Sequence, residues 1–246
     1  MARVCLITGG TQGIGRETAE LLVLQGWAVI ISGRNIAKGE EAVRAIKAKG
    51  GEATFIEADV SDQESVKALH QKSLTVYGHL DGAVNGAGIS TDTRMIGDAS
   101  TAEFEKMWRV NVLGVFWCMQ EQIQIMKEQQ SGHIVNIASI AGLHGILYSG
   151  TYVATKHAVV GMTRTAAIEY AQTGIQVAAV APGAIKTDIL RDAIAAGAYS
   201  EESIAAMFPM KKMGKPLDIA QAISFLLHSD FATGSILEVD GGLGAA

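Results

Sequence analysis

The chain reads as an α/β protein built on a parallel sheet with helices on both faces, and three observations predict this class. Short apolar, β-branched runs alternate with longer segments of helical periodicity from one end to the other. Glycine marks the strand-to-helix joins, with 28 residues against 3 prolines, which suits tight turns rather than disorder. Hydrophobic residues fill 48% of the 246 positions, enough to bury a large core.

Taken in order, Val4–Ile7 is the first strand and Arg16–Gln25 the helix behind it. Trp27–Ser32 is a strand, Ile36–Lys49 a helix of alternating charge, and Ala53–Glu57 a strand. Asp62–Tyr77 is a helix with Ser61 or Asp62 as its N-cap, and Leu80–Asn85 a strand. Residues 101–130 form one long helix, opened by Ser100 or Thr101 with Glu103 close behind. His133–Ala138 is a strand; a glycine-rich loop then leads to a helix that holds Tyr152 in its first turns. Ile175–Ala181, a variable excursion, the helix Pro216–Leu227 and the strand Ser235–Val239 complete the chain. No linker or internal repeat breaks the alternation, so residues 1–246 are expected to form a single domain.

Composition narrows the function. Net charge is −5, charged residues are 18%, and no basic stripe appears, so nucleic-acid binding lacks electrostatic support. No apolar run reaches transmembrane length, and the early first strand leaves no room for a leader. Cys5 and Cys118 lie within apolar stretches and read as small core residues of a reduced compartment. A cytoplasmic protein without membrane contact is expected. The six histidines show no metal-ligand spacing.

The turn Thr8-Gly9-Gly10-Thr11-Gln12-Gly13-Ile14-Gly15 joins the first strand to the first helix. Glycines there tolerate unusual φ and let the backbone approach a pyrophosphate seated on the helix N-terminus. The spacing is G-x-x-x-G-x-G, a departure from the plain dinucleotide fingerprint.

Tyr152 and Lys156 stand four apart on a helix, so their polar tips share one face. A free phenol titrates near ~10, and a neighbouring ammonium favours its anion, which makes Tyr152 a candidate general acid and base. Ser139, at the end of a strand-like run, can donate a hydrogen bond to the same oxygen. Tyr148 has no lysine four residues on and is expected to wall the pocket.

Thr8–Gly15, Asn85-Gly86-Ala87-Gly88, Ser139, Tyr152-x-x-x-Lys156, Pro182-Gly183 and Thr187 together resemble the short-chain dehydrogenase/reductase family over essentially the whole chain. The resemblance implies a doubly wound Rossmann-type sheet of seven parallel strands. It implies Tyr152 as acid and base, Lys156 binding the nicotinamide ribose and lowering the phenol pKa, and Ser139 orienting the substrate oxygen. Asn111 matches the asparagine that holds a water linking Lys156 to solvent. Coenzyme contacts carry over to Gly9, Thr11, Gln12, Gly13, Ile14 and Gly15. They extend to Asp59 and Val60 at the adenine, to Asn85, Gly86 and Ala87 closing the fourth strand, and to Pro182, Gly183, Ile185 and Thr187. Gly86 stands where the family most often has a second asparagine.

Coenzyme choice turns on Ser32-Gly33-Arg34. Gly33 leaves empty the place where an acidic residue would bind ribose hydroxyls, and Arg34 follows as a candidate for a 2′-phosphate. NADP is favoured over NAD, although Gln12 stands where NADP-preferring relatives often carry a second basic residue. Residues 188–213 are expected to cover the substrate. Leu190, Ile194, Ile204, Met207, Phe208 and Met210 form either a lid on an apolar pocket or a peripheral helix pair, divided at Gly197. The predicted substrate is a mostly apolar, alicyclic ketone or secondary alcohol. The alternatives are a 3-oxoacyl-carrier reductase, for which Lys127 offset by Glu128 and Arg164 near Glu169 offer a weak basic surface, and a nucleotide-sensing protein without turnover. Members of this family are generally tetramers, and a homotetramer packed through the long helix and the Tyr152 helix is expected.

Overall fold

The structure, a computed structural model, describes residues 2–92, 94–187, 190, 191, 194 and 200–245. The elements run β1 (Val4–Thr8), α1 (Gly13–Leu24), β2 (Ala28–Gly33), α2 (Ile36–Ala48), β3 (Glu52–Glu57), α3 (Gln63–Tyr77) and β4 (Gly82–Asn85). They continue with α4 (Thr101–Trp108), a π-helical turn (Arg109–Leu113), α5 (Gly114–Gln129), β5 (Gly132–Ile137), α6 (Gly150–Tyr170) and β6 (Ile175–Pro182). Last come α7 (Glu201–Ala206), α8 (Pro216–Leu227) and β7 (Ile236–Val239).

All seven strands lie parallel in one sheet of order β3-β2-β1-β4-β5-β6-β7. Successive side chains of a strand face opposite ways, so each strand feeds two cores. On one face Leu6, Ile30, Ala83, Ile134 and Val177 meet Met119 and Ile123 of α5 and Val159 of α6. On the other, Ile7, Ile31, Val84, Val135 and Val180 meet Leu22 of α1 and Ile219 and Ile223 of α8. Cys5 and Cys118 are free, buried thiols; burial raises both, Cys118 to about 12. No helix among the described residues is long and apolar enough to cross a membrane.

Local chemistry sets the boundaries. Asn35, Asp62 and Ser100 each cap their helix by accepting a backbone N–H of its first turn, which settles Asp62 over Ser61 and Ser100 over Thr101. α1 begins one turn ahead of Arg16, because the glycines that open it carry no apolar periodicity to read. The long helix expected over 101–130 is interrupted: Arg109–Leu113 forms a π turn between α4 and α5. Such a turn leaves the apolar pattern on both sides helical and so leaves no trace in periodicity. Within the excursion, Ile204 and Phe208 are buried against Ile140, whereas Met207 and Met210 are exposed. Gly197 lies outside the described residues.

Chain order reverses across β1 and β4, whose carboxyl ends, Thr8 and Asn85, pair directly. A crevice at such a reversal is where open α/β sheets bind ligands.

Candidate active site

The crevice floor is built by close backbone approach. Gly9 takes φ 69°, and a Cβ there would lie 2.9 Å from the Ala87 nitrogen. Thr8 Oγ1 accepts from the backbone N–H of Gly86 and Ala87 at 3.2 and 3.3 Å, locking the two glycine-rich turns together. Its position just ahead of the glycines gave no sign of this role.

α1 opens with Gln12 at its N-cap, which makes no side-chain cap, and its first turn has no acidic residue. Its orphan amides are thus offered to an anion. Thr187 lies beside this end, 3.4 Å from where a Gly13 Cβ would stand, and Gly15 is buried against the Gly9 carbonyl. Pro182 and Ile185 are buried, and Gly183 N–H donates to the Val239 carbonyl at 3.0 Å. Thr11, Gln12, Gly13, Ile14, Gly183 and Thr187 therefore gather at the carboxyl edge of the sheet.

At the end of β2, Gly33 abuts Thr11, and Arg34 is exposed, 4.0 Å from Asp59. Asp59 also accepts from Ser61, while neighbouring Val60 is buried. Lys38, a residue the sequence did not single out, reaches back from α2 and donates to Gln12 Oε1 at 2.8 Å. Lys38 thus brings a cation to position 12.

Asn85 is buried and commits its side chain to Gln122 and Asn136, and Asn136 in turn donates to Thr163 of α6 at 2.9 Å. Asn111 sits in the π turn, buried; its amide donates to the Ile89 carbonyl at 2.8 Å and accepts from the Ile89 N–H at 2.9 Å. A Cβ on Gly88 would stand 3.3 Å from Asn111 Oδ1 and 3.8 Å from Lys156 Nζ, so these three positions face one small space.

Tyr152, Ser139 and Lys156 converge above it. Ser139 stands next to the Tyr152 phenol, close enough to favour its anion, and Lys156 Nζ lies 5.7 Å from the tyrosine ring centre. Lys156 is buried and donates to the Ile137 carbonyl at 2.8 Å. Burial lowers its ammonium pKa to about 8. The phenol behaves differently from expectation: burial raises its pKa, opposed by the Ser139 hydrogen bond. Loss of water outweighs the help Ser139 gives the phenolate, while the Lys156 ammonium is turned toward the Ile137 carbonyl. His157 is exposed and points along the helix to the Val153 carbonyl, while His144 is half-exposed, 3.7 Å from Glu238. Tyr148 is exposed, in the loop that enters α6.

A family model described as short chain dehydrogenase matches residues 3–196. A 2,5-dichloro-2,5-cyclohexadiene-1,4-diol dehydrogenase of Sphingobium indicum is 41% identical over 246 residues, 99% of this chain and 97% of that protein. A cyclohexanol dehydrogenase of Acinetobacter sp. is 37% identical over 241 residues, 97% of this chain and 94% of that one. Among solved structures, ElxO with NADP bound is 40% identical with a TM-score of 0.95 over 100% of each chain, and a Tyr-to-Phe variant of ElxO with NADPH bound matches with a TM-score of 0.94. Identity at this level along nearly the full length goes beyond a shared sheet, and the chain belongs to the short-chain dehydrogenase/reductase family of oxidoreductases.

Proposed function

We propose that this protein is an NADP-dependent oxidoreductase that interconverts an alicyclic or otherwise mostly apolar secondary alcohol and its ketone. The observation that carries the reading is the meeting of Ser139, Tyr152 and Lys156 beside an anion-receptive helix end at the reversal of the sheet.

The residues present fit a dinucleotide. Gly9, Thr11, Gln12, Gly13, Ile14 and Gly15, with Thr187 opposite, offer uncapped amides and side-chain-free space for a pyrophosphate. Asn85, Gly86 and Ala87 supply the narrow floor, and Pro182, Gly183 and Ile185 the wall after β6. Asp59 and Val60 are the adenine contacts. Arg34 and Lys38 are the cations for a 2′-phosphate. When bound, the nicotinamide supplies or accepts the hydride.

The protein's own part is proton handling. With its pKa raised, the Tyr152 phenol is protonated at neutral pH, the form that can give a proton to a carbonyl oxygen during reduction. Ser139 holds the phenol and offers the same oxygen a hydrogen bond. Lys156 uses one of its three donors on Ile137 and retains two for the nicotinamide ribose. Asn111 stands next to Lys156 and is suited to order the water that returns protons to it.

The substrate walls are apolar. Ile96 lies against Gly150, Leu147 is exposed in the loop entering α6, and Met207 and Met210 are exposed on the excursion. The names of the relatives, which act on cyclohexane-derived alcohols, support the same substrate class. A panel of alicyclic ketones and a 3-oxoacyl thioester separates this from the carrier-linked reading, and no turnover with tight coenzyme binding would favour the sensor.

The chain is read as one domain with residues 188–213 as its substrate cover, acting in the cytoplasm as a homotetramer. Two separate groups of exposed apolar residues support the assembly: Phe116 and Ile168 on α5 and α6, and Leu217, Phe225 and Phe231 on and after α8.

The test is direct. Tyr152→Phe is expected to abolish turnover while coenzyme binding persists, and Tyr148→Phe to keep most activity. Near-normal rates for Tyr152→Phe, measured at saturating NADPH and ketone, would refute the assignment.

A further inference from the structure

The helix that carries Tyr152 has no cap of its own. Ser149 occupies the N-cap position of α6 but makes no side-chain bond to it, and Tyr148 just before it holds φ 59°, in the left-handed region that a bulky residue seldom adopts. The first-turn donors must then be met from elsewhere. One of them, the Tyr152 N–H, is met by Asp92, in the loop after β4. Its Oδ2 accepts from the Tyr152 backbone N–H at 2.7 Å across a separation of 60 residues, and its Oδ1 accepts from the Thr151 hydroxyl at 2.5 Å.

The same loop is fastened at two other points. Ile89 is held through both its N–H and its carbonyl by Asn111, and the Ile96 side chain sits where a Cβ on Gly150 would come within 3.1 Å. Ile89, Asp92 and Ile96 are thus each fastened to the elements that carry Asn111 and Tyr152. Asp92 is a carboxylate clasp on the catalytic helix, and a carboxylate suits the place: two oxygens serve two donors, and negative charge is favoured at a helix N-terminus.

We propose that Asp92 is a positioning residue for Tyr152, capping α6 from a distant loop and so fixing where the phenol stands relative to Ser139 and the substrate. This rests on Tyr152 being the acid and base. The clasp acts on the backbone of Tyr152 itself, so its loss shifts the phenol rather than merely loosening the surface.

The experiment compares Asp92→Ala, Asp92→Asn, Thr151→Val and the Asp92→Ala/Thr151→Val pair in the full-length protein. Asp92→Ala is expected to lower kcat for ketone reduction by about tenfold to a hundredfold, the scale set by sub-ångström to ångström misplacement. The Kd for NADPH, from fluorescence titration, is expected to stay at the wild-type value. Asp92→Asn keeps one acceptor and should recover part of the loss. Thr151→Val should cost less than Asp92→Ala and add nothing in its background, since both remove the same contact. A residue that only supported the fold would lower Tm and leave kcat per folded molecule intact. Wild-type kcat in folded Asp92→Ala, or additive losses in the pair, overturns the proposal. Should Asp92→Ala fail to fold, the Asp92→Asn/Thr151→Val pair takes its place, and wild-type kcat there overturns it equally. Tyr152→Phe assayed alongside keeps the two ideas apart: if that variant turns over normally, it is the role of Tyr152 that fails, whatever Asp92 does.

Discussion

Tyr152 and Lys156 are both held in their neutral-leaning forms by burial, and this has opposite consequences for activity and stability. Lys156 titrates near 8 in the folded protein against an ordinary 10.5. Between these values the unfolded chain binds more protons than the native one, so stability rises as pH climbs from about 8 to 10.5 and the full penalty is present below 8. Lys156→Met should therefore raise stability at pH 7, by at most about 3 kcal/mol, and flatten that rise. Thermal melts at pH 7 and pH 10 check it, with activity lost throughout. Lys38 makes a second prediction at this scale. Lys38→Ala should lower kcat/KM for NADPH by about threefold to tenfold, the worth of one exposed charge contact, and leave that for NADH unchanged. The Tyr152–Lys156 pairing was legible in sequence because helical period alone dictates it. Lys38 was not, since on α2 it is one cation among alternating charges and only its reach to Gln12 marks it out.

Among the elements, α4 to α5 and the β4–β5–α6 seam carry what the sequence concealed. The caps at Asp62 and Ser100 were legible because capping chemistry is local. The π turn at Arg109–Leu113 was not, and it is the distortion that turns Asn111 onto Ile89. Below the site, Asn85, Gln122, Asn136 and Thr163 form a fully buried polar chain that joins two strands to α5 and α6. Such a chain is stabilising only while every member is satisfied. Asn136→Ala removes one buried hydrogen bond from each of Asn85 and Thr163 and should cost about 1–3 kcal/mol, read from urea unfolding with the m-value unchanged. In sequence these residues look like two polar positions near strand ends and two ordinary helix positions.

At the scale of the molecule, strand–helix alternation and the glycine turn were sufficient for the parallel sheet, and the resemblance supplied its seven strands. The excursion after β6 was less legible because its apolar spacing served a lid and a packed helix equally; Ile204 and Phe208 are packed inward and Met207 and Met210 are left outward. Two exposed apolar groups on different sides of the molecule predict two kinds of contact between copies, and hence a closed tetramer. Light scattering should return four chains, and Ile168→Glu should reduce the assembly to pairs; a monomeric wild type would contradict the expectation.

The two thiols draw a last consequence. Cys5 and Cys118 lie sealed in separate cores with their ionisation suppressed, so oxidants and electrophiles that reach the folded surface meet neither thiol. The thiol chemistry of the protein is thereby insulated from the redox state of the surroundings, and both thiols become reactive only when the fold itself opens.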